Sequence, residues 1–140
     1  MIYLDTSVAV ALLVPEPRTT DVKAWFARLP DIPVGSDWLL TEFDSAISIK
    51  VRSGELSETN AKAVRKAFEM LTANGLRIVP VSRAAFRDAA DLAKQHVYLL
   101  RAGDALHLAV AREVNAKSVA TLDGVMATNA KRLKLDVEAI

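Results

Sequence analysis

Met1-Ile2-Tyr3-Leu4-Asp5-Thr6-Ser7 opens the chain. Ile2, Tyr3 and Leu4 are strand-prone residues that run straight into a carboxylate. Two hydroxyl residues follow, then the apolar run Val8 to Val14. The pattern predicts a buried strand over Ile2 to Asp5 with an acid at its carboxyl tip. It also predicts a following helix capped by Thr6 or Ser7 and ended by Pro15 and Pro17. Open α/β sheets build their ligand sites outside that edge of the sheet. A single acid there is adequately explained as a turn or cap residue, so the reading depends on whether other acids reach the same edge.

The rest of the chain repeats the alternation. Arg18 to Leu29 predicts a second helix, with Val22, Trp25, Phe26 and Leu29 on one stripe. Val34 to Asp37 reads as a short second strand, and Trp38 to Val51 as a helix carrying Glu42 near its start. Gly54 ends that helix, and Ser57 caps the next, whose stripe is Ala61, Val64, Phe68 and Leu71. Leu76 to Val81 is the third strand, with Pro80 at its end or edge because proline cannot donate to a ladder. Ser82 caps a helix through about Gln95, and Gly103-Asp104 opens another that runs to Val114. Asn115 suits a left-handed helix end. Lys117 to Leu122 is the fourth strand and ends at Asp123; a short helix over Val125 to Leu133 and an edge strand over Asp136 to Glu138 finish the chain. Strands alternating with helices predict an α/β fold with a mainly parallel sheet of four to five strands.

Composition sets bounds on function. The chain has 140 residues, enough to bury a sizeable core, and no repeat or linker marks a boundary within it. There is no cysteine, which excludes disulfides and thiolate zinc sites and permits a reducing cytoplasm. No basic stretch precedes the first apolar residues, as a signal peptide would require. The longest apolar run is far short of the roughly 20 residues that cross a bilayer, so no membrane partner is expected. Eighteen Lys and Arg against 17 Asp and Glu give a formal charge of +1. With Asp5, Glu42, Asp104 and Asp123 set aside as candidate ligands, 13 of the 17 acids remain against the 18 bases, which favours a polyanionic partner.

Four acids stand at comparable places. Asp5 and Asp123 end strands, while Asp104 and Glu42 lie in the first turns of helices, whose N-termini sit above the same edge. Four carboxylates in one pocket repel one another unless a hard cation joins them. All-oxygen ligation is what Mg²⁺ or Mn²⁺ prefers, and with two His and no Cys a zinc site does not fit. Such an ion activates water and offsets charge on a phosphodiester.

The segments Leu4-Asp5-Thr6-Ser7, Thr41-Glu42, Leu100-Arg101-Ala102-Gly103-Asp104-Ala105-Leu106-His107-Leu108-Ala109 and Ala120-Thr121-Leu122-Asp123 together resemble the PIN-domain family. More narrowly, they resemble the VapC ribonuclease toxins of toxin–antitoxin pairs. The resemblance spans essentially the whole chain. It implies one PIN-like three-layer α/β/α domain over residues 1–140, and a Mg²⁺-dependent endoribonuclease in the cytoplasm, with Mn²⁺ able to substitute. It further implies a catalytic and metal-binding set of Asp5, Glu42, Asp104 and Asp123, an RNA substrate, a homodimer and a cognate antitoxin. Asp44, two residues after Glu42, departs from the pattern and cannot share its helix face. Gly124-Val125 after Asp123 is a second departure, where a more polar pair is expected.

Other residues have simpler readings. Thr6, Ser7 and Thr121 are candidates to support the metal shell or a water, and caps otherwise. His107 is read as a packing histidine, although it lies three residues after Asp104. Lys50, Arg52, Lys62, Arg65 and Lys66 read first as a solvated face. Two rival functions remain: phosphotransfer through an aspartyl-phosphate on Asp5, and a non-catalytic protein-binding module.

Overall fold

The computed structural model describes residues 1–140. Five strands form its sheet: β1 (Ile2–Leu4), β2 (Val34–Ser36), β3 (Arg77–Val79), β4 (Ser118–Ala120) and β5 (Asp136–Val137). Seven helices surround them: α1 (Thr6–Leu13), α2 (Thr19–Phe26), α3 (Asp37–Arg52), α4 (Glu58–Asn74), α5 (Arg83–Lys94), α6 (Ala102–Glu113) and α7 (Gly124–Arg132). Every strand pair is parallel, in the order β3-β2-β1-β4-β5. The mainly parallel sheet expected from the alternation is therefore wholly parallel.

Strand alternation divides the core into two layers. Leu4 and Ala120 face one side, where they pack with α1, α2, α3 and α4 through Val8, Trp25, Phe43 and Phe68. Tyr3, Val34 and Val119 face the other side and pack with α5, α6 and α7 through Ala89, Leu108 and Met126. Within the first layer the rings of Phe43 and Phe68 stack at 3.7 Å between centroids and 8° between planes, joining α3 to α4. Complete burial of side chains such as Leu4, Phe43 and Leu108 stabilises the fold by roughly 1.5–3 kcal/mol each.

The strand order locates the site. From β1 the chain steps outward to β2 and β3, then returns to the other side of β1 for β4 and β5. The direction reverses between β1 and β4, and the loops leaving their carboxyl ends part to form a crevice. Asp5 follows β1 and Asp123 follows β4, so both stand at this switch point.

Some boundaries differ from those expected. Asp5 itself caps α1: its side chain accepts from the Val8 amide, a role expected of Thr6 or Ser7. A carboxylate is a strong acceptor for the unpaired amides of a first turn. Helix α2 is shorter than its apolar stripe, and Leu29 lies in the loop beyond it. A 3₁₀ turn over His96–Tyr98 follows α5, and Leu99 takes the left-handed region at φ 59°, as Asn115 does at φ 54°. Pro80 falls just beyond β3, an edge strand. No helix is long and apolar enough to cross a membrane.

Candidate active site

Asp5 is 4% exposed and held by three donors. Ser7 Oγ and the Val8 amide donate to Oδ1 at 2.6 and 3.3 Å, and Thr121 Oγ1 donates to Oδ2 at 2.6 Å. Burial raises its pKa above the ordinary 3.8; nearby His107 and these donors pull the other way without cancelling it. The donors are themselves fixed: Ser7 Oγ accepts from the Leu122 amide at 2.9 Å and Thr121 Oγ1 from the Asp123 amide at 3.1 Å. The β1 and β4 tips are thereby tied together around one carboxylate.

Asp123 caps α7, accepting from the Met126 amide at 2.7 Å. Its Oδ2 lies 3.8 Å from Arg101 Nη2. Asp104, in the first turn of α6, is half-buried, and its one charged partner within 4 Å is Arg101, whose Nε lies 3.6 Å from Oδ2. Burial pushes Asp104 above the ordinary 3.8, and the charges of Asp123, Glu42 and Asp5 add to that; Arg101 opposes it. Asp104 therefore senses all three other acids. Arg101 is the cation between Asp104 and Asp123.

Glu42 is oriented differently. Its Oε2 accepts from Thr6 Oγ1 at 2.6 Å and pairs with His107 Nε2 at 2.7 Å. Burial raises its pKa, but the hydrogen bond and charge of His107, with Thr6 and Trp38, outweigh this and hold it below the ordinary 4.5. Its Oε1 lies over Gly103: a Cβ there would be 2.3 Å from that oxygen and 3.3 Å from Trp38 Nε1. The buried Trp38 Nε1 faces the same carboxylate and helps lower its pKa, although the pair falls short of strict hydrogen-bond geometry.

The donor set is all-oxygen and rich in negative charge, which suits a hard divalent cation. No three of the acids, with or without His107, close on a single point as a cage.

His107 is buried, as a packing histidine would be, but it also grips Glu42. Its place one helical turn after Asp104 was the available signal. Arg101, one turn before Asp104, carries the same signal, and Gly103 directly precedes the acid. Asp44 lies outside the site, exposed and paired with Arg65 at 2.9 Å. Lys50 is also committed elsewhere, to Glu16 and Glu55.

A family model for the PIN domain matches residues 2–132. Among solved structures, FitAcB from Neisseria gonorrhoeae is similar at a TM-score of 0.76 and 23% identity, over 99% of this chain and 97% of that one. Mycobacterium tuberculosis VapC20, a sarcin–ricin loop cleaving toxin, gives a TM-score of 0.74 at 21% identity, over 92% and 95%. VapBC2 from Rickettsia felis, bound to a promoter DNA fragment, gives 0.66 at 17%, over 99% and 98%. No curated protein matches the sequence.

Proposed function

The chain belongs to the PIN-domain family, and on that premise we propose that it is a divalent-metal-dependent endoribonuclease, the toxin of a toxin–antitoxin pair. The observation that carries this reading is Asp104: a half-buried carboxylate under the charge of Asp123, Glu42 and Asp5 at the switch point of the sheet. Such a field is short of positive charge. Asp5 and Asp104 are the chief proposed ligands for Mg²⁺ or Mn²⁺, with Glu42 and Asp123 completing the shell or holding its waters. The ion supplies Lewis-acid activation of a water nucleophile and neutralisation of charge on the scissile phosphodiester.

The protein's own groups set the geometry. Ser7, Thr121 and the Val8 amide fix both oxygens of Asp5, so its remaining lone pairs point in a set direction. Thr6 and His107 hold one oxygen of Glu42, Oε2. Arg101, exposed beside the acids, is placed to meet a backbone phosphate. An aspartyl-phosphate on Asp5 suits this site poorly, because that carboxylate is buried and already accepts three hydrogen bonds. The likeness to the VapC20 toxin and the VapBC2 assembly supports an RNA substrate and a cognate antitoxin. A homodimer and a cytoplasmic location belong to the same proposal.

The test is incubation of the purified protein with total RNA in Mg²⁺, in Mn²⁺ and in EDTA, with new 5′ ends mapped. Discrete metal-dependent cuts are expected. RNA left intact in both metals would refute the reading.

A further inference from the structure

Beneath the acids runs a buried polar chain that spans five elements. Ser36 Oγ, at the end of β2, lies 2.9 Å from Tyr3 Oη on β1. Tyr3 Oη lies 2.9 Å from His107 Nδ1 on α6, and the two rings meet edge to face at 5.7 Å. The other ring nitrogen, Nε2, is 2.7 Å from Glu42 Oε2 on α3 and 3.2 Å from Thr6 Oγ1 on α1. His107 is 2% exposed, and Tyr3 and Ser36 are fully buried. Glu42, at 27%, is the ionisable member that reaches the surface.

Proton positions follow from the partners. An ionised carboxylate only accepts, so Nε2 carries a hydrogen and donates it to Glu42. Nδ1 meets a hydroxyl, which donates to a bare nitrogen or accepts from a protonated one. Tyr3 and Ser36 are thus satisfied in either case, and the grip on Glu42 is the same. The other carboxylate oxygen, Oε1, lies over Gly103, where an added Cβ would approach it to 2.3 Å.

An apolar trio of similar volume would fill this space more cheaply, because burying polar groups costs free energy even when they are paired. The chain instead ends on a candidate site carboxylate. We infer that His107, backed by Tyr3 and Ser36, is a positioning residue that fixes Glu42 in the acid cluster. This rests on the nuclease reading above and adds a specific residue to it: His107 acts through Glu42 and touches neither metal nor RNA.

A double-mutant cycle tests this. Single-turnover RNA cleavage in Mg²⁺ is measured for wild type, His107→Gln, Glu42→Gln and the double variant, with thermal melts confirming folding. His107→Gln is expected to lower the rate about 10–100-fold, the range for groups that orient a site carboxylate, with RNA affinity kept within about twofold. Tyr3→Phe, which removes only the hydroxyl behind the ring, should give a smaller loss. The double variant should cleave no more slowly than Glu42→Gln alone. Rate losses that multiply, or a wild-type rate in His107→Gln, would overturn the inference. If His107→Gln fails to fold, Tyr3→Phe takes its place in the same cycle. A second readout needs no catalysis: in the metal-free protein the His107 Nε2 proton should give a protected downfield NMR resonance that shifts in Glu42→Gln. A resonance insensitive to Glu42 would overturn the inference even if RNA is cut. A wild type that cuts no RNA but shows the expected resonance would refute the nuclease reading alone.

Discussion

Arg101 and Asp104 pair across the first turn of α6, with Nε 3.6 Å from Oδ2, and the same guanidinium reaches Asp123 at 3.8 Å. A cation therefore already stands between two candidate ligands. Its side chain is 81% exposed, so each contact is screened and worth little by itself. We expect Arg101→Gln to bind Mn²⁺ a few-fold more tightly in low-salt calorimetry, with the gain shrinking as salt rises. RNA affinity should fall, because one phosphate contact is lost. Weaker Mn²⁺ binding by Arg101→Gln would mean that Arg101 organises the acids instead of sharing them with the ion.

Gly103 is constrained by contact. Alanine is ordinarily favoured over glycine inside a helix by about 1 kcal/mol. Here its Cβ would press on Oε1 of Glu42, a carboxylate whose Oε2 is held by Thr6 and His107. Overpacking of this kind costs about 1–3 kcal/mol. Gly103→Ala should melt lower than wild type and cleave RNA at least about tenfold more slowly, the size of effect seen when such an orienting contact is lost. A variant that is both more stable and fully active would contradict the packing described.

The acids also set a pH dependence. Asp5 and Asp104 have folded pKa values raised above 3.8, chiefly by burial. Their contribution to stability is fully present below that ordinary value and is lost as pH rises through the raised ones. Glu42 is lowered from 4.5, so its contribution is present above that value and is lost on acidification through the lowered one. In EDTA, Asp104→Asn should therefore be more stable than wild type at neutral pH, and the gap should close toward about pH 4. Excess Mg²⁺ should reverse the order at neutral pH, since only wild type keeps its full ligand set. Urea unfolding across pH measures both effects.

Asp44 serves as the control. It is exposed, on a different face of α3 from Glu42, and it pairs with Arg65. Asp44→Asn should change stability by no more than about 0.5 kcal/mol. Cleavage should stay at the wild-type level in the same assay. A large loss of activity would place Asp44 in the site after all.

The legible and illegible parts of the molecule divide by range. Asp5 and Asp123 could be placed because each stands where an apolar strand gives way to a helix start, a local pattern. Ser57 and Ser82 are caps for the same reason, and each accepts from an amide three residues on. The strand order is not local. Nothing in the sequence of β4 says that it lies beside β1, yet that adjacency makes the crevice. His107 shows the same limit: its partners Tyr3 and Glu42 are 104 and 65 residues away, and its immediate neighbours are apolar. The two-residue spacing of Thr121 from Asp123 marks it as a supporting residue. That its hydroxyl would be given to Asp5, 116 residues away, depends on the sheet.

Asp5→Asn tests the acid cluster most directly. The amide is nearly isosteric with the carboxylate, and the hydroxyls of Ser7 and Thr121 can rotate to meet it. The metal-free variant should melt close to wild type, since it loses hydrogen-bond strength but also a buried charge. The measurement is RNA cleavage by folded Asp5→Asn in Mg²⁺ beside wild type in Mg²⁺ and in EDTA. A central metal-binding role for Asp5 predicts cleavage no greater than the EDTA control. Full Mg²⁺-dependent cleavage by Asp5→Asn would contradict it.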